Sequence, residues 1–243
     1  MKLGIIGAMD IEVTTLVSRM ASENGNALPK LVHAASLDFY DGMLCGISAV
    51  VVKSGIGKVN AALCAQHLAL DFGVTHIINT GIAGAMASGL GVFDIVVSTE
   101  ALYHDIDATG FGYKPTVIPQ MKESCFRADD MLIAMAEKAF VQTEAAKNHS
   151  VMKGRIASGD QFISSAAAKN RIKELCNPAC VEMEGAAIAH ACYLNDIPFV
   201  IIRAMSDMAD DGEEASYKFN DKEAAQESAA IVIEMCKELA SKA

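Results

Sequence analysis

Short apolar runs that stop at a glycine or a polar turn alternate along this chain with longer stretches whose apolar residues recur at helical spacing. Residues 2–7 (KLGIIG) are such a run, and from Asp10 to Met20 the apolar positions fall three or four apart, so a strand, a turn and a helix are expected in that order. Residues 32–40 and 47–53 are β-prone and flank Asp41-Gly42, a turn dipeptide, which predicts a hairpin. The Ala- and Leu-rich stretch 58–72 predicts a helix, and 75–80 (THIINT) a buried strand ending at Gly81. Further strands are expected at 93–102, 151–158, 180–183 and 199–204, and further helices at 128–141, 166–175, 185–194 and 219–239, with Ser164 or Ser165 capping the second of these. This alternation argues for a largely parallel sheet covered on both faces. No repeat, low-complexity tract or linker interrupts it, so one domain spanning residues 1–243 is expected.

Two stretches fit no element. Residues 103–127 hold Gly110, Gly112, Pro115 and Pro119 together with Phe111 and Tyr113, and residues 206–217 form the second. Long irregular loops within a compact domain usually serve function, and the aromatics argue against disorder in the first. They are expected to be lids, or arms reaching a second subunit.

Composition narrows the partners. With 20 Lys and Arg against 30 Asp and Glu the formal charge is −10, and a phosphate backbone or an anionic membrane surface offers such a chain no counterion-release gain. Hydrophobic residues make up 52% of the chain; counted with Gly and without Tyr they reach about 57%, against a typical 45–50%. The run after Met1-Lys2 ends at Asp10, too short for a secretory segment, and no other stretch is apolar for long enough to span a membrane. A cytoplasmic protein is expected. The 7 cysteines form no CxxC pair, and the Cys176 and Cys180 spacing lacks a second ligand pair, so neither a disulfide framework nor zinc is expected.

The glycine-rich turns at Gly7, 55–57, 81–84 and Gly159 complete no cofactor signature. Gly55-Ile56-Gly57 lacks the third glycine of a dinucleotide fingerprint, and Lys58 is followed by Val59 where a phosphate loop needs Ser or Thr. They mark instead the carboxyl ends of strands, where α/β sheets bind small ligands. Three acids sit there: Glu12 beyond the first strand, Glu184 in Val181-Glu182-Met183-Glu184-Gly185, and Asp207 after the apolar run 199–206. They can converge on one cleft, or each can cap a helix or face solvent. Asp207 follows a buried strand, which suits a desolvated carboxyl able to act as an acid, unless Arg203 points to the same side and pairs with it. His104-Asp105-Ile106-Asp107 has no second cluster at metal spacing and reads as a hydrogen-bonded loop rim.

Taken together, Gly4-Ile5-Ile6-Gly7-Ala8-Met9-Asp10-Ile11-Glu12-Val13, Lys53-Ser54-Gly55-Ile56-Gly57-Lys58-Val59, Asn79-Thr80-Gly81-Ile82-Ala83-Gly84, Tyr103-His104-Asp105, Ser158-Gly159-Asp160-Gln161-Phe162-Ile163, Val181-Glu182-Met183-Glu184 and Arg203-Ala204-Met205-Ser206-Asp207 resemble the 5′-methylthioadenosine/S-adenosylhomocysteine nucleosidases, in that family's order, from the first residue to about Tyr217. The resemblance implies a nucleoside phosphorylase-like fold, a single three-layer α/β/α domain around a central mixed sheet, and a homodimer. It implies hydrolysis of the N-glycosidic bond of 5′-thio-substituted adenosines in methionine salvage, without cofactor or metal. By motif, Glu12 is the base that activates water and Asp207 the acid that protonates adenine N7. Glu184 takes the ribose hydroxyls and the Met183 backbone touches ribose. Phe162 stacks on adenine, the Ile163 backbone reads its edge, and Met9, Ala83, Gly84 and Tyr217 line the ligand. Phe111 and Tyr113 reach the 5′ pocket of the neighbouring subunit.

That chemistry suits those residue types, because a glycosidic bond breaks through an oxocarbenium-like state that wants an acid on the leaving group and a water on the other face. Ile82 stands where some relatives carry Ser, and Tyr217 where Phe is common, departures that bear on substrate preference. A phosphorylase of the same superfamily needs Arg and Gly donors for phosphate, whereas Asp10 and Glu12 follow the first strand here and no Arg lies in 81–86. All three acids being present counts against a non-catalytic nucleoside-binding protein. Aminodeoxyfutalosine hydrolysis would use the same acids, and the sequence does not separate it.

Overall fold

Apolar runs without alternation become strands buried on both faces. β1 (Lys2–Gly7) is one of them, with Leu3, Ile5 and Ile6 fully buried and parallel neighbours on either side, β4 (Ile47–Lys53) and β5 (His76–Ala85). The computed structural model describes residues 1–210 and 214–242, the side chains of 214–219 excepted. Its remaining strands are β2 (Lys30–Ala34), β3 (Leu37–Leu44), β6 (Ile95–Tyr103), β7 (Cys125–Arg127), β8 (Val151–Ser158), β9 (Cys180–Glu182) and β10 (Phe199–Asp207). The helices are α1 (Asp10–Glu23), α2 (Lys58–Leu70), α3 (Asp130–Phe140), α4 (Ala166–Cys176), α5 (Gly185–Leu194) and α6 (Glu214–Ser241). Ser165 is the N-cap of α4, its side chain accepting the Ala168 amide. α1, α3 and α6 pack together on one face of the sheet, and α2 and α5 on the other. This is the expected three-layer arrangement around a mixed sheet.

Three sequence expectations are corrected. Asp41-Gly42 is not a turn but the middle of β3; the chain reverses instead at Ala35-Ser36 and Cys45-Gly46, all four residues with positive φ (+48°, +62°, +51° and +84°). Such two-residue turns match the twist of the strands they join, and tertiary pairing imposes them on Ala35, Ser36 and Cys45 against their local preference. Gly42 serves close packing: a Cβ there would stand 3.0 Å from Pro29 and 3.2 Å from Met20. Secondly, β5 does not stop at Gly81 but runs on to Ala85. Thirdly, α6 starts at Glu214, ahead of the expected residue 219. In the irregular stretch 103–127 the chain forms one helical turn at Thr109–Phe111 and then β7.

The length of β5 sets up the site. Along one edge it pairs with β10 from Ile77 to Gly84. Its other edge is shared: β1 runs parallel along 76–79, and β9 runs antiparallel at Gly84 and Ala85. The carboxyl ends of β1 and β9 therefore point toward each other across 80–83. β9 continues through β8 and β6 back to β10, so five strands close into a ring. A simple open sheet with all its ligand loops on one edge is not what forms.

Candidate functional site

The head-on approach of β1 and β9 leaves a cavity open to the surface. Met9, Glu12, Ala83, Gly84, Phe162, Ile163, Met183, Glu184 and Asp207 all line it, so nine of the expected site residues meet there. Phe111 and Tyr113 do not line it; Phe111 is 87% exposed. The side chain of Tyr217 lies outside the described residues.

Glu12 stands in the first turn of α1, where the helix dipole favours an anion. One carboxylate oxygen accepts the amides of Ala8 (2.6 Å) and Met9 (2.9 Å), and the other accepts that of Ile82 (3.0 Å). The group is 1% exposed. Burial raises its pKa above the ordinary value, while Arg203 and the three amides pull the other way.

Arg203 organises the acids. It is the one cation in the apolar strand β10 and is 1% exposed, so it must find its partners inside. Its guanidinium pairs with Glu182, donates to Asn79 Oδ1 (2.7 Å) and the Ile82 carbonyl (3.3 Å), and lies 3.6 Å from Glu184 and 3.9 Å from Glu12. Glu182 is further held by the Ser158 hydroxyl and by the amides of Glu184 (3.1 Å) and Gly185 (2.7 Å). Three buried carboxylates around one guanidinium leave excess negative charge: burial and the Glu182 charge push Glu184 up to about 7, against the pull of Arg203 and the Gly57 amide. Gly81 makes the cluster possible, since a Cβ there would fall into the Glu12 and Arg203 groups.

The sequence left open whether Arg203 pairs with Asp207. It does not. Between Met205 and Asp207 the register with β5 slips by one residue, so Ser206 is extra and the alternation that would place Asp207 on the Arg203 side is broken. Asp207 accepts instead from the Ser206 hydroxyl (2.8 Å) and the Ala209 amide (2.7 Å). Gly84 leaves room for that loop: a Cβ there would stand 2.8 Å from Ala209 and 3.0 Å from Asp207.

Sequence reasoning missed the parts played by Arg203, Glu182, Ser158 and Asn79. A signal existed, since an arginine inside an otherwise apolar strand announces buried acids. Ile56, Gln161, Val181 and Ser206 also line the cavity and carried no such mark. Among the described residues no group of three or more His, Cys, Asp or Glu could hold a metal ion.

A family model described as the phosphorylase superfamily matches residues 2–237. A 5′-methylthioadenosine/S-adenosylhomocysteine nucleosidase of Halalkalibacterium halodurans is 44% identical over 223 residues, 90% of either chain. The nucleosidase of that name from Neisseria meningitidis, solved in complex with methylthio-immucillin-A, superposes with a TM-score of 0.90 at 38% identity, covering 98% of this chain and 99% of that one. A futalosine hydrolase of Helicobacter pylori superposes at 0.87 with 29% identity, covering 98% of this chain and 97% of that one. The chain belongs to the 5′-methylthioadenosine/S-adenosylhomocysteine nucleosidase family of the phosphorylase superfamily.

Proposed function

We propose that this chain hydrolyses the N-glycosidic bond of 5′-methylthioadenosine and S-adenosylhomocysteine, releasing adenine and the 5′-thioribose. The observation that carries the reading is the charge around the cavity. Its one lining guanidinium, Arg203, is engaged by Glu182 and Asn79 and flanked by Glu12 and Glu184. A phosphate dianion entering there would meet three carboxylates and no free cation among the described lining residues, so water rather than phosphate is the nucleophile.

Asp207 protonates adenine N7 as the bond to C1′ breaks, and Glu12 takes the proton of the attacking water. The amides of Ala8, Met9 and Ile82 fix the Glu12 carboxylate at the attack position, so little rearrangement is needed in the transition state. Glu184 holds the ribose hydroxyls beside the Met183 backbone, Phe162 covers the adenine ring, and the Ile163 backbone reads its edge. Met9, Ala83 and Gly84 form the remaining wall. Each proton transfer contributes roughly 10²–10⁴-fold. Asp207→Asn is therefore expected to lose at least about 100-fold in kcat while still binding substrate, as titration calorimetry reads; undiminished turnover in that variant would refute the acid's assignment.

The chain acts as a homodimer. α2 exposes Val59 (71%) and Leu63 (52%) one turn apart, Ile56 (52%) stands at the cavity, and Phe111 is bare. An apolar stripe of this kind suits a partner surface, with Phe111 and Tyr113 of one copy closing the 5′ end of the other's cavity. No helix among the described residues is long and apolar enough to cross a membrane, in keeping with a cytoplasmic enzyme of methionine salvage. The futalosine hydrolase likeness supports a second reading, aminodeoxyfutalosine hydrolysis by the same acids, which side-by-side kcat/KM values on the two nucleosides distinguish.

A further inference from the structure

Beside the cavity, outside the groups the reaction uses, three chain segments are tied by one polar knot, half-buried at Lys58 and Asp105 and open to solvent at Asp160. Lys58 opens α2, Asp105 follows β6, and Asp160 precedes the Phe162 loop. Asp105 Oδ2 accepts both the Lys58 ammonium (2.6 Å) and the Asp160 amide (2.9 Å), while Asp160 Oδ1 accepts the Lys58 amide (2.9 Å). Lys58 Nζ also lies 5.4 Å from the centre of the Tyr103 ring. Burial pushes the Asp105 carboxyl up, but Lys58 and the Asp160 amide bring it below its ordinary value, the mark of an acid held charged by its partners.

The knot sits next to Glu184. The residue before Lys58 is Gly57, whose amide donates to Glu184 Oε1 at 2.8 Å. Gly57 has φ +98°, which favours glycine, and a Cβ on it would stand 3.2 Å from Asp160 Oδ1, so the turn packs closely against Asp160. The helix has no side-chain cap of its own at Gly57; Asp160 accepts its first amide from a different loop. Ile56 on one side of the knot and Phe162 on the other both line the cavity.

We infer that Lys58 and Asp105 are positioning residues, whose ion pair fastens the 55–58 loop to the Asp160 loop and so aims the Gly57 amide that holds Glu184 against the ribose. The inference rests on the proposed role of Glu184 toward the ribose hydroxyls. Neither residue touches the reacting atoms. They act by fixing the carboxylate that does, and by setting the separation of the Ile56 and Phe162 walls.

The test compares 5′-methylthioadenosine with its 3′-deoxy counterpart in the wild type, Lys58→Met, Asp105→Asn and the double variant. The wild type is expected to discriminate by roughly 10- to 100-fold in kcat/KM, because the 3′-deoxy nucleoside leaves a buried carboxylate without its hydroxyl. In either single variant that ratio is expected to fall to about threefold, chiefly through a raised KM for the full nucleoside. The double variant is expected to lose no more than either single, as members of one linkage do. Asp105→Asn keeps the shape and the Asp160 contact, so it reports even where Lys58→Met destabilises the fold. A wild type that does not discriminate contradicts the Glu184 reading, and the inference falls with it. A wild type that discriminates, with variants that keep the full ratio or lose additively, overturns the inference alone.

Discussion

At the scale of single residues, what the site does follows from how many charges share one dry space. Arg203 meets Glu12, Glu182 and Glu184, and burial, with the neighbouring Glu182 charge, lifts Glu184 to about 7 from an ordinary 4.5 against the pull of Arg203. A carboxyl whose folded pKa is raised gives stability that is fully present below its ordinary value and lost as pH rises through the raised one. Glu184→Gln, which stays neutral, is therefore expected to melt above the wild type at pH 8, the gap closing as pH falls from about 7 toward about 4.5; a lower melting temperature at pH 8 would show that Arg203 overcompensates the burial. Gly81→Ala tests the same cluster by space. Its methyl enters the Glu12 and Arg203 groups, so a loss of turnover of at least about tenfold is expected in steady-state kinetics, with a fall in melting temperature. The acids were legible as charges at the ends of apolar runs. Which of them meet Arg203 was not, because a side chain's direction depends on register: Glu12 and Glu184 gather there with Glu182, while one slipped residue in β10 turns Asp207 away.

At the scale of elements, that slipped residue is a device. Ser206 interrupts the alternation of β10, turns Asp207 away from Arg203 and supplies its hydroxyl to the carboxylate it displaced. Asn220 of α6 donates to the Ser206 carbonyl (3.1 Å), tying the bulge to the helix. Deleting Ser206 restores the alternation and is expected to cost at least about 100-fold in kcat, with circular dichroism of the wild type; full activity in the deletion would remove the bulge from the account. Helix and strand existence could be read along the chain because continuous apolar runs stopped by glycine or polar turns mark the buried strands, and the longer stretches between them mark the helices. Ends were harder. β5 continues through Gly81 and Gly84 because β10 pairs with it residue by residue as far as Ala83 and, past the Ser206 bulge, at Gly84, a nonlocal cause that no local turn signal reports. The turns at Ala35-Ser36 and Cys45-Gly46 are likewise set by the pairing of β2, β3 and β4.

At the scale of the whole molecule, the decisive feature is that β1 and β9 share an edge of β5 and run toward each other, with the ring of five strands holding them so. Long-range pairings of this kind leave no trace in local periodicity; only the assembled set of motifs pointed to them. In the proposed homodimer a second copy covers the exposed apolar residues of α2 and the bare Phe111, so sedimentation at micromolar concentration is expected to find a dimer, and a monomer would contradict the proposal. The central claim, that buried acids make this site one for water and not for phosphate, is tested most directly by adenine release from 5′-methylthioadenosine with and without added phosphate. The account predicts the same rate in both, with a reducing sugar as the second product; release that depends strictly on phosphate would contradict it.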